Sequence, residues 1–140
     1  MIEFTVYGEP IGKQRARVVL RGSKVSSFTP SKTRTYEKLI RDTFMVNRFN
    51  SFEDKPVKIT LKAFYPIPKS NTKKMKENKL RGLILPCVKP DIDNVCKSVL
   101  DALNEVAFND DKQVVELELS KRYSNTPRLE IKVEESGLWE

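Results

Sequence analysis

The 140-residue chain carries 26 Lys and Arg against 19 Asp and Glu, a formal net charge of +7, and its length suits one compact domain, residues 1–140. It contains no histidine, which excludes Ser-His-Asp and Cys-His catalysis and leaves carboxylates, lysines, hydroxyls or a metal held by oxygen for any chemistry. It also lacks a signal-peptide pattern and any apolar run of the ~18 residues that span a membrane, so we expect a cytoplasmic protein without membrane contact.

The first half of the chain predicts two strands and one helix. Apolar residues alternate with polar ones over 2–6, which is typical of a half-buried strand. Residues 11–34 are basic and predict a loop or ragged hairpin that could lie along DNA. A helical stripe covers about 35–49, and a second alternating strand covers 57–63 before Pro66 closes it.

The second half predicts one short segment, one helix and two more strands. Residues 69–82 are mostly polar and predict a short helix or a loop, which we expect to be the most mobile part of the chain. A helix is predicted over about 93–106, and alternating strands over 115–119 and 129–133. Together the elements predict a small α+β domain with a mixed four-stranded sheet and helices packed on it.

The two cysteines are nine residues apart and form no CxxC pair. Cys87 and Cys96 are therefore expected to be reduced, partly buried thiols rather than a zinc site or a disulfide framework.

Charge is unevenly distributed along the chain. Residues 11–41 hold nine Lys or Arg against one acid, and residues 66–90 hold seven against one. Residues 91–118 reverse the sign, with eight acids against two lysines. A basic chain suits a polyanion, because neutralising phosphates releases condensed counterions. An enzyme that cuts phosphodiesters with a metal needs, in addition, a cluster of carboxylates such as the acidic segment 91–118, which we call the acidic island.

The acidic island places its aspartates at structured positions. Asp91 and Asp93 stand at the mouth of the predicted helix, and Lys97 and Asp101 follow Asp93 at steps of four on one helix face. Asp110 and Asp111 come just after the helix. We expect a helix packed antiparallel to the next strand to bring Asp111 back towards Asp91 and Asp93, where three carboxylates would suit one or two Mg²⁺ ions.

Each of these residues also has a plain structural interpretation. Asp93 alone would more often be a helix cap than a ligand, and Lys97 with Asp93 and Asp101 could form only i,i+4 ion pairs worth ~0.3–0.5 kcal/mol each. Asp110 and Asp111 alone would be a turn. A calcium EF-hand fits poorly, because its sixth and twelfth positions would be Cys96 and Ala102.

Several motifs resemble the RusA family of Holliday-junction resolvases of bacteria, their phages and prophages. The pattern G-x-P-x-x-K-x-R-x-R occupies residues 8–17, and a Phe-Thr-Pro lead into a helix occupies 28–30. The longest motif, K-P-D-x-D-N-x-x-K-x-x-x-D-A-L-N, runs over 89–104, and D-D-x-Q-V follows at 110–114. The resemblance covers nearly the whole chain.

The resemblance implies a catalytic metal set of Asp91, Asp93 and Asp111, with Asp101 and Asp110 as supporting carboxylates. The choice of Asp111 over Asp110 as principal ligand stays open, because the spacing before this pair varies in the family. Lys97 matches the family's essential lysine. The expected cofactor is Mg²⁺, for which Mn²⁺ could substitute, with no small-molecule cofactor.

The resemblance also implies a homodimer that places paired nicks in a four-way DNA junction. Such a junction has approximate twofold symmetry, so symmetric cuts need two sites related by that axis. The expected role is in recombination and repair or in processing phage DNA branches. Phosphate contacts are expected from basic residues in two segments, namely Lys13, Arg15, Arg17, Lys73, Lys74, Lys76 and Lys89.

Two other functions remain open from the sequence. One is a catalytically inert protein that binds junctions or other DNA, although such a protein gains nothing from placing aspartates near phosphate. The other is a general metal nuclease acting on flaps or single strands.

Overall fold

The computed structural model describes residues 1–14, 17–28, 31–47 and 51–137. Within 17–28, the backbone but not the side chain is described for Arg17, Val19, Arg21 and residues 26–28; the other residues of this segment are described in full. The helices and strands are β1 (Ile2–Tyr7), β2 (Arg17–Arg21), β3 (Lys24–Phe28), α1 (Ser31–Val46), β4 (Val57–Tyr65), α2 (Lys73–Leu80), α3 (Ile92–Leu103), β5 (Val114–Tyr123) and β6 (Arg128–Glu135).

Four of the strands form one mixed sheet in the order β1-β6-β4-β5. β6 pairs antiparallel with both β1 and β4, and β5 pairs parallel with β4. The predicted α+β class and mixed four-stranded sheet are therefore confirmed. β2 and β3 form a separate antiparallel hairpin within the basic segment 11–34, which confirms the hairpin alternative for that segment, although the predicted count of four strands did not include them.

The alternating strands bury one face of the sheet under α1 and α3. Leu61 of β4, Ile40 of α1 and Val99 of α3 are all fully buried in this core. The two helices contact each other, and Arg41 Nε donates to the carbonyl of Ala102 at 3.2 Å. In the described part of the chain, none of the helices has the length and apolar character needed to cross a membrane.

The ends of several elements differ from those predicted. α1 begins at Ser31, directly after the Phe-Thr-Pro lead into a helix and before the predicted stripe at 35, and residues 48–49 at the end of that stripe lie outside the described residues. α3 ends at Leu103 rather than 106, because the C-cap Asn104 is extended and Glu105 then adopts a positive φ of 64°. β5 extends to Tyr123, four residues beyond the predicted strand.

The segment 69–82 forms the helix α2, one of its two predicted alternatives. Thr72 caps it by accepting a hydrogen bond from the N–H of Met75 at 3.2 Å. Its anchor is a lysine: Lys79 is 8% exposed, donates to Asn71 Oδ1 at 2.5 Å and lies over the ring of Tyr123 at 4.6 Å. A cation–π contact thus fixes a segment in which the sequence offers little apolar surface.

Neither cysteine is in a disulfide, as predicted, but their burial differs. Cys96 is buried in α3, where burial and the nearby charge of Asp93 raise the pKa of its thiol despite the opposing charge of Lys97. Cys87 is exposed, so the prediction of two partly buried thiols is wrong for that residue.

Candidate metal and DNA site

The N-terminal end of α3 presents two unpaired carboxylates. Asp91 is the N-cap residue, yet its side chain makes no capping hydrogen bond, and Asp93 follows in the first turn. Both residues are exposed, and neither forms an ion pair with any residue that the structure describes. The helix-cap interpretation therefore accounts for the position of Asp91 but for neither side chain, and both carboxylates face solvent without a cationic partner among the described residues.

A tyrosine at the end of β4 holds the residue before Asp91. Tyr65 is 2% exposed, and its hydroxyl donates to the carbonyl of Pro90 at 2.5 Å. Burial, together with the charge of Asp91, raises the pKa of Tyr65 to about 12, so it remains a neutral donor at any physiological pH. The sheet thus fixes the chain directly ahead of the exposed pair.

The loop after β1 holds the same end of α3 from the other side. The N–H of Lys13 donates to the carbonyl of Asn94 at 2.8 Å, and Ser98 Oγ donates to the carbonyl of Ile11 at 3.1 Å. Between them lies Gly12, where an added Cβ would stand 2.9 Å from Pro90 Cβ and 3.0 Å from Asn94 Cβ. Only glycine permits this approach, so the loop and the mouth of the helix form one rigid unit.

Along the same helix, Asp101 lies between two lysines. Lys97 Nζ is 3.3 Å from Asp101 Oδ1, and Lys13 Nζ is 3.1 Å from Asp101 Oδ2. Lys13 also contacts Glu37 of α1 at 2.5 Å. Partial burial alone would lower the pKa of Lys13, but its hydrogen bonds to Glu37 and Asp101 and their charges raise it. Asp101 therefore orients Lys97 while leaving that ammonium half-exposed.

Asp110 and Asp111 lie at the opposite end of α3. The N–H of Asp110 donates to Gln113 Oε1 at 2.9 Å in a capping box, and Asp111 begins the short 3₁₀ turn that leads into β5. The N–H of Asn109 donates to the carbonyl of Glu53, just before β4, whereas the carbonyl of Pro90 meets Tyr65, at the end of β4. The part of α3 from Asp93 to Leu103, about 15 Å of helix, separates the two pairs.

α3 packs antiparallel on β5, as predicted, but this packing does not bring Asp111 back towards Asp91 and Asp93. The C-terminal end of β5 lies near Asp91, since Tyr123 pairs with Tyr65, whose hydroxyl contacts Pro90. The N-terminal end of β5, which follows Asp111, lies at the opposite end of the sheet. Across residues 1–14, 17–28, 31–47 and 51–137, no group of three or more carboxylates and thiols is close enough to hold a metal ion. One chain by itself does not bring Asp91, Asp93 and Asp111 together.

The predicted phosphate contacts are placed unequally. Lys73 and Lys74 are exposed in the first turn of α2, and Lys89 is exposed two residues before Asp91, whereas Lys76 is half-buried. Lys13 has its ammonium engaged by two carboxylates. Arg15 lies outside the described residues, and Arg17 is described by its backbone in β2 alone.

A groove of about 690 Å³ leads to Asp91. Its walls are the loop from Tyr7 to Gln14, the first half of α1 with Lys32, and the turn from Lys89 to Asp91. Cations of the groove walls would attract a phosphodiester strand towards the exposed carboxylate pair.

Sequence reasoning missed the residues that position the site. Tyr65 carried a usable signal, because a buried tyrosine at the end of an apolar strand needs a partner for its hydroxyl. Gly12 and Ser98 carried none, since their roles depend on contacts between segments far apart in the chain.

Comparisons with known proteins agree with the motifs. The model of a family described as Endodeoxyribonuclease RusA matches residues 7–134. The chain is also 41% identical over 136 residues to a Bacillus subtilis (strain 168) protein named "Uncharacterized protein YqaN", a similarity that covers 96% of each chain.

Proposed function

Because this chain belongs to the RusA family of endodeoxyribonucleases, we propose that it is a Mg²⁺-dependent enzyme that resolves four-way DNA junctions by paired symmetric nicks. The supporting observation is the exposed pair Asp91 and Asp93, whose charges are unpaired among the described residues, at the end of a groove whose walls include Lys32 and Lys89. We place this activity in the cytoplasm, in recombination and repair or in the processing of phage DNA branches.

The donor set fits a hard cation that takes oxygen ligands. Mg²⁺ usually takes one or two carboxylates and fills its remaining positions with water and substrate phosphate, which matches two exposed aspartates beside a strand groove. Asp91 and Asp93 would hold the ion, and Mn²⁺ would substitute for it. When bound, the ion would supply Lewis acidity at the scissile phosphate.

The protein's own groups would orient the phosphate. Lys97 stands one turn along the helix from Asp93, and its half-exposed ammonium can turn from Asp101 to a non-bridging oxygen as negative charge grows there. The N-terminal end of α3 carries a partial positive charge that also favours a phosphate. Tyr65 and Gly12 would keep the carboxylates in position without contacting the substrate.

Asp111 can join Asp91 and Asp93 only from a second copy of the chain, given about 15 Å of helix between the two pairs. We therefore propose a homodimer in which each site combines Asp91 and Asp93 of one copy with Asp111 of the other. Asp101, held by two lysines, and Asp110, in a capping box, would act as supporting carboxylates. A twofold dimer of this kind matches the symmetry of a four-way junction.

The bound DNA would be held by phosphate contacts from exposed cations. Lys73, Lys74 and Lys89 are exposed without an ion pair to a described residue, so they can contact phosphate directly. Lys13 would first have to leave Glu37 and Asp101, and Lys76 is half-buried, so we expect smaller effects from these two.

A cleavage assay tests the proposal. Purified protein is incubated with a synthetic four-way junction, a flap, a duplex and a single strand, each with Mg²⁺, with Mn²⁺ and with chelator. We expect symmetric nicks in the junction only when a metal is present, and their loss in Asp91→Asn but not in Asp42→Asn, a control at an exposed position of α1 whose carboxylate contacts Lys38 alone among the described residues.

Three results would contradict the proposal. Equal cutting by Asp91→Asn and wild type would remove the site. Faster cutting of flaps or single strands than of junctions would favour a general nuclease. Tight, salt-sensitive junction binding without nicks under any metal would identify an inert DNA-binding protein.

A further inference from the structure

The two edges of the four-stranded sheet are covered differently. On β1, the side chains that face the helices are no more than 8% exposed, as at Ile2 and Phe4. On β5, Leu117 faces the same side, because it pairs with Ile59 of β4, but Leu117 is 49% exposed. The helices thus leave the part of β5 around Leu117 uncovered, with an apolar side chain in solvent.

β5 also offers a long free edge. It has ten residues and, among the strands that the structure describes, pairs with β4 alone. Val115, at the register shift between β4 and β5, is 59% exposed beside it. Long edges with exposed apolar side chains are templates for another strand, and proteins usually shorten or cover them. This edge has neither protection over Val115 to Leu119.

The charges along β5 would be complementary to those of a second β5 strand aligned antiparallel to it. Glu116 lies near its start and Arg122 near its end, on the face away from the helices, as their pairing with Lys58 and Phe64 of β4 indicates. Neither residue forms an ion pair with any described part of the chain; Ser136 Oγ donates to Glu116, and Arg122 donates to the carbonyl of Lys121 at 2.7 Å. Two copies of β5 in antiparallel alignment would bring each glutamate to the other copy's arginine.

We propose that β5 pairs antiparallel with β5 of a second copy, with the two Leu119 residues facing each other at the twofold axis, so that the sheets join into one of eight strands. In this register Glu116 faces Arg122 twice, and Val115 faces Tyr123 twice. An axis at Glu118 would instead set two glutamates face to face, and an axis at Leu117 would set Glu116 against Glu118 twice; like charges directly opposite destabilise a sheet. The interface is isologous, as twofold symmetry requires.

This proposal rests on the proposed function and gives its homodimer a surface. Antiparallel pairing places the start of one β5, which follows Asp111, beside the end of the other, where Tyr123 pairs with Tyr65. Tyr65 in turn holds Pro90, the residue before Asp91. The two halves of the divided carboxylate set would therefore approach each other at both ends of the joined strands.

Charge exchange between two variants tests the surface and its register. Glu116→Arg sets arginine against arginine in its own dimer, and Arg122→Glu sets glutamate against glutamate, so each variant alone should dimerise about tenfold or more weakly than wild type. An equimolar mixture restores both opposite-charge pairs, and the double variant Glu116→Arg/Arg122→Glu restores them in one chain. Sedimentation equilibrium measures the dissociation constants, and far-UV circular dichroism checks folding.

Glu3→Arg is the matched control, because it makes the same charge change on the exposed face of the opposite edge strand. It should dimerise like wild type. A monomeric wild type, or single variants that dimerise normally, would overturn the proposal. Rescue of Arg122→Glu by Glu118→Arg instead of Glu116→Arg would overturn the Leu119 register, since that pairing belongs to an axis at Ser120.

Cleavage separates this interface from the proposed function. A charge exchange that works in a protein that cuts no DNA leaves the interface standing and removes the nuclease. Normal dimers in both single variants, with normal junction cutting, leave the nuclease standing and remove the interface.

Discussion

At the mouth of α3, Asp91 and Asp93 stand in solvent with no cation beside them in the described structure, whereas three turns along the helix Asp101 is held between Lys97 and Lys13. All three aspartates belong to one sequence motif, but their surroundings differ. Asp101 already has two cationic partners, whereas Asp91 and Asp93 have none among the described residues and are therefore the better candidates for metal ligands. A carboxylate with two ammonium partners is already neutralised, while an unpaired one retains its charge for a cation. The contrast assigns different tasks to residues that the sequence presents alike.

The comparison also extends to the ways in which the two regions are held. The mouth of α3 is fixed through neutral contacts, namely the hydroxyl of Tyr65 and the close packing of Gly12. The region around Asp101 is fixed by charge, through Lys13 and Glu37. Neutral support adds no positive charge beside Asp91 and Asp93, so their negative charge would remain available to the proposed divalent cation.

The largest expected effect on cleavage is at the N-terminal end of α3, where Asp91 and Asp93 lie. Asp93→Asn should lower the rate of junction cleavage about 10³-fold, since a metal contributes several kcal/mol to the stabilisation of the transition state. The free energy of unfolding should change little, because the side chain of Asp93 is exposed and forms no ion pair with a described residue. Single-turnover cleavage, urea unfolding and calorimetric titration with Mn²⁺ measure rate, stability and metal affinity in turn. If Asp93→Asn cuts normally and binds Mn²⁺ with normal affinity, Asp93 is not a metal ligand and does not differ in function from Asp101.

Lys97 joins the two regions and should have the next largest effect. Lys97→Met retains the aliphatic stem but removes the charge, so cleavage should fall about 10²-fold while junction binding changes far less. Lys38→Met, which breaks an exposed ion pair to Asp42 on α1, is the matched control. Equal losses of cleavage in the two variants would mean that Lys97 is only part of a general cationic surface.

The contrast itself could be predicted only in part from the sequence. Alternation of apolar residues is a local signal, and it correctly predicted β1, β4, β6 and the inward face of α3. The extension of β5 over Ser120–Tyr123 has no such signal, because Lys121 lies over the ring of Tyr65 and takes the place of an apolar side chain. The helical spacing placed Lys97 beside Asp101 correctly, since i,i+4 neighbours are fixed by the helix alone.

The place of Asp111 required information that no local pattern contains. A short connection after α3 starts β5 at the end of the sheet where the helix finishes, so the strand carries its far end, not its start, back to Asp91. The partners of Asp101 show the same limit: Lys97 is a neighbour in sequence, whereas Lys13 is 88 residues away and reaches Asp101 only because Gly12 lets its loop approach α3.

Gly12→Ala tests whether the neutral support matters. The new Cβ would stand 2.9 Å from Pro90 Cβ, so the mouth of α3 must move, and we expect about 1–3 kcal/mol of destabilisation with a tenfold or greater loss of cleavage. Gly137→Ala is the control, since a Cβ there meets nothing within 4 Å. Thermal unfolding and cleavage measured on both variants decide the matter; a normal rate in Gly12→Ala would show that the carboxylates tolerate displacement.

Asp101→Asn tests the region held by charge and should have a smaller effect. Asparagine retains the shape but weakens both lysine contacts, so the free energy of unfolding should fall by about 1 kcal/mol and cleavage by less than tenfold. Urea unfolding and the junction assay provide the measurements. A loss as large as that of Asp93→Asn would place Asp101 among the metal ligands and reverse the assignment made from its partners.

The smallest effect concerns the hydroxyl of Tyr65 at high pH. Its pKa is raised by folding to about 12, so the stability that its protonated form contributes is complete below pH 10 and is lost as the pH rises from about 10 to 12. Tyr65→Phe should lower the free energy of unfolding by about 1 kcal/mol at pH 8, through loss of the bond to Pro90, and flatten its decline above pH 10. Other groups that titrate at high pH do so in both proteins, so the difference between their urea-unfolding curves isolates Tyr65. Parallel declines in the two proteins would mean that the hydroxyl does not hold Pro90 in solution, and the support of Asp91 would then rest on Gly12 and its loop.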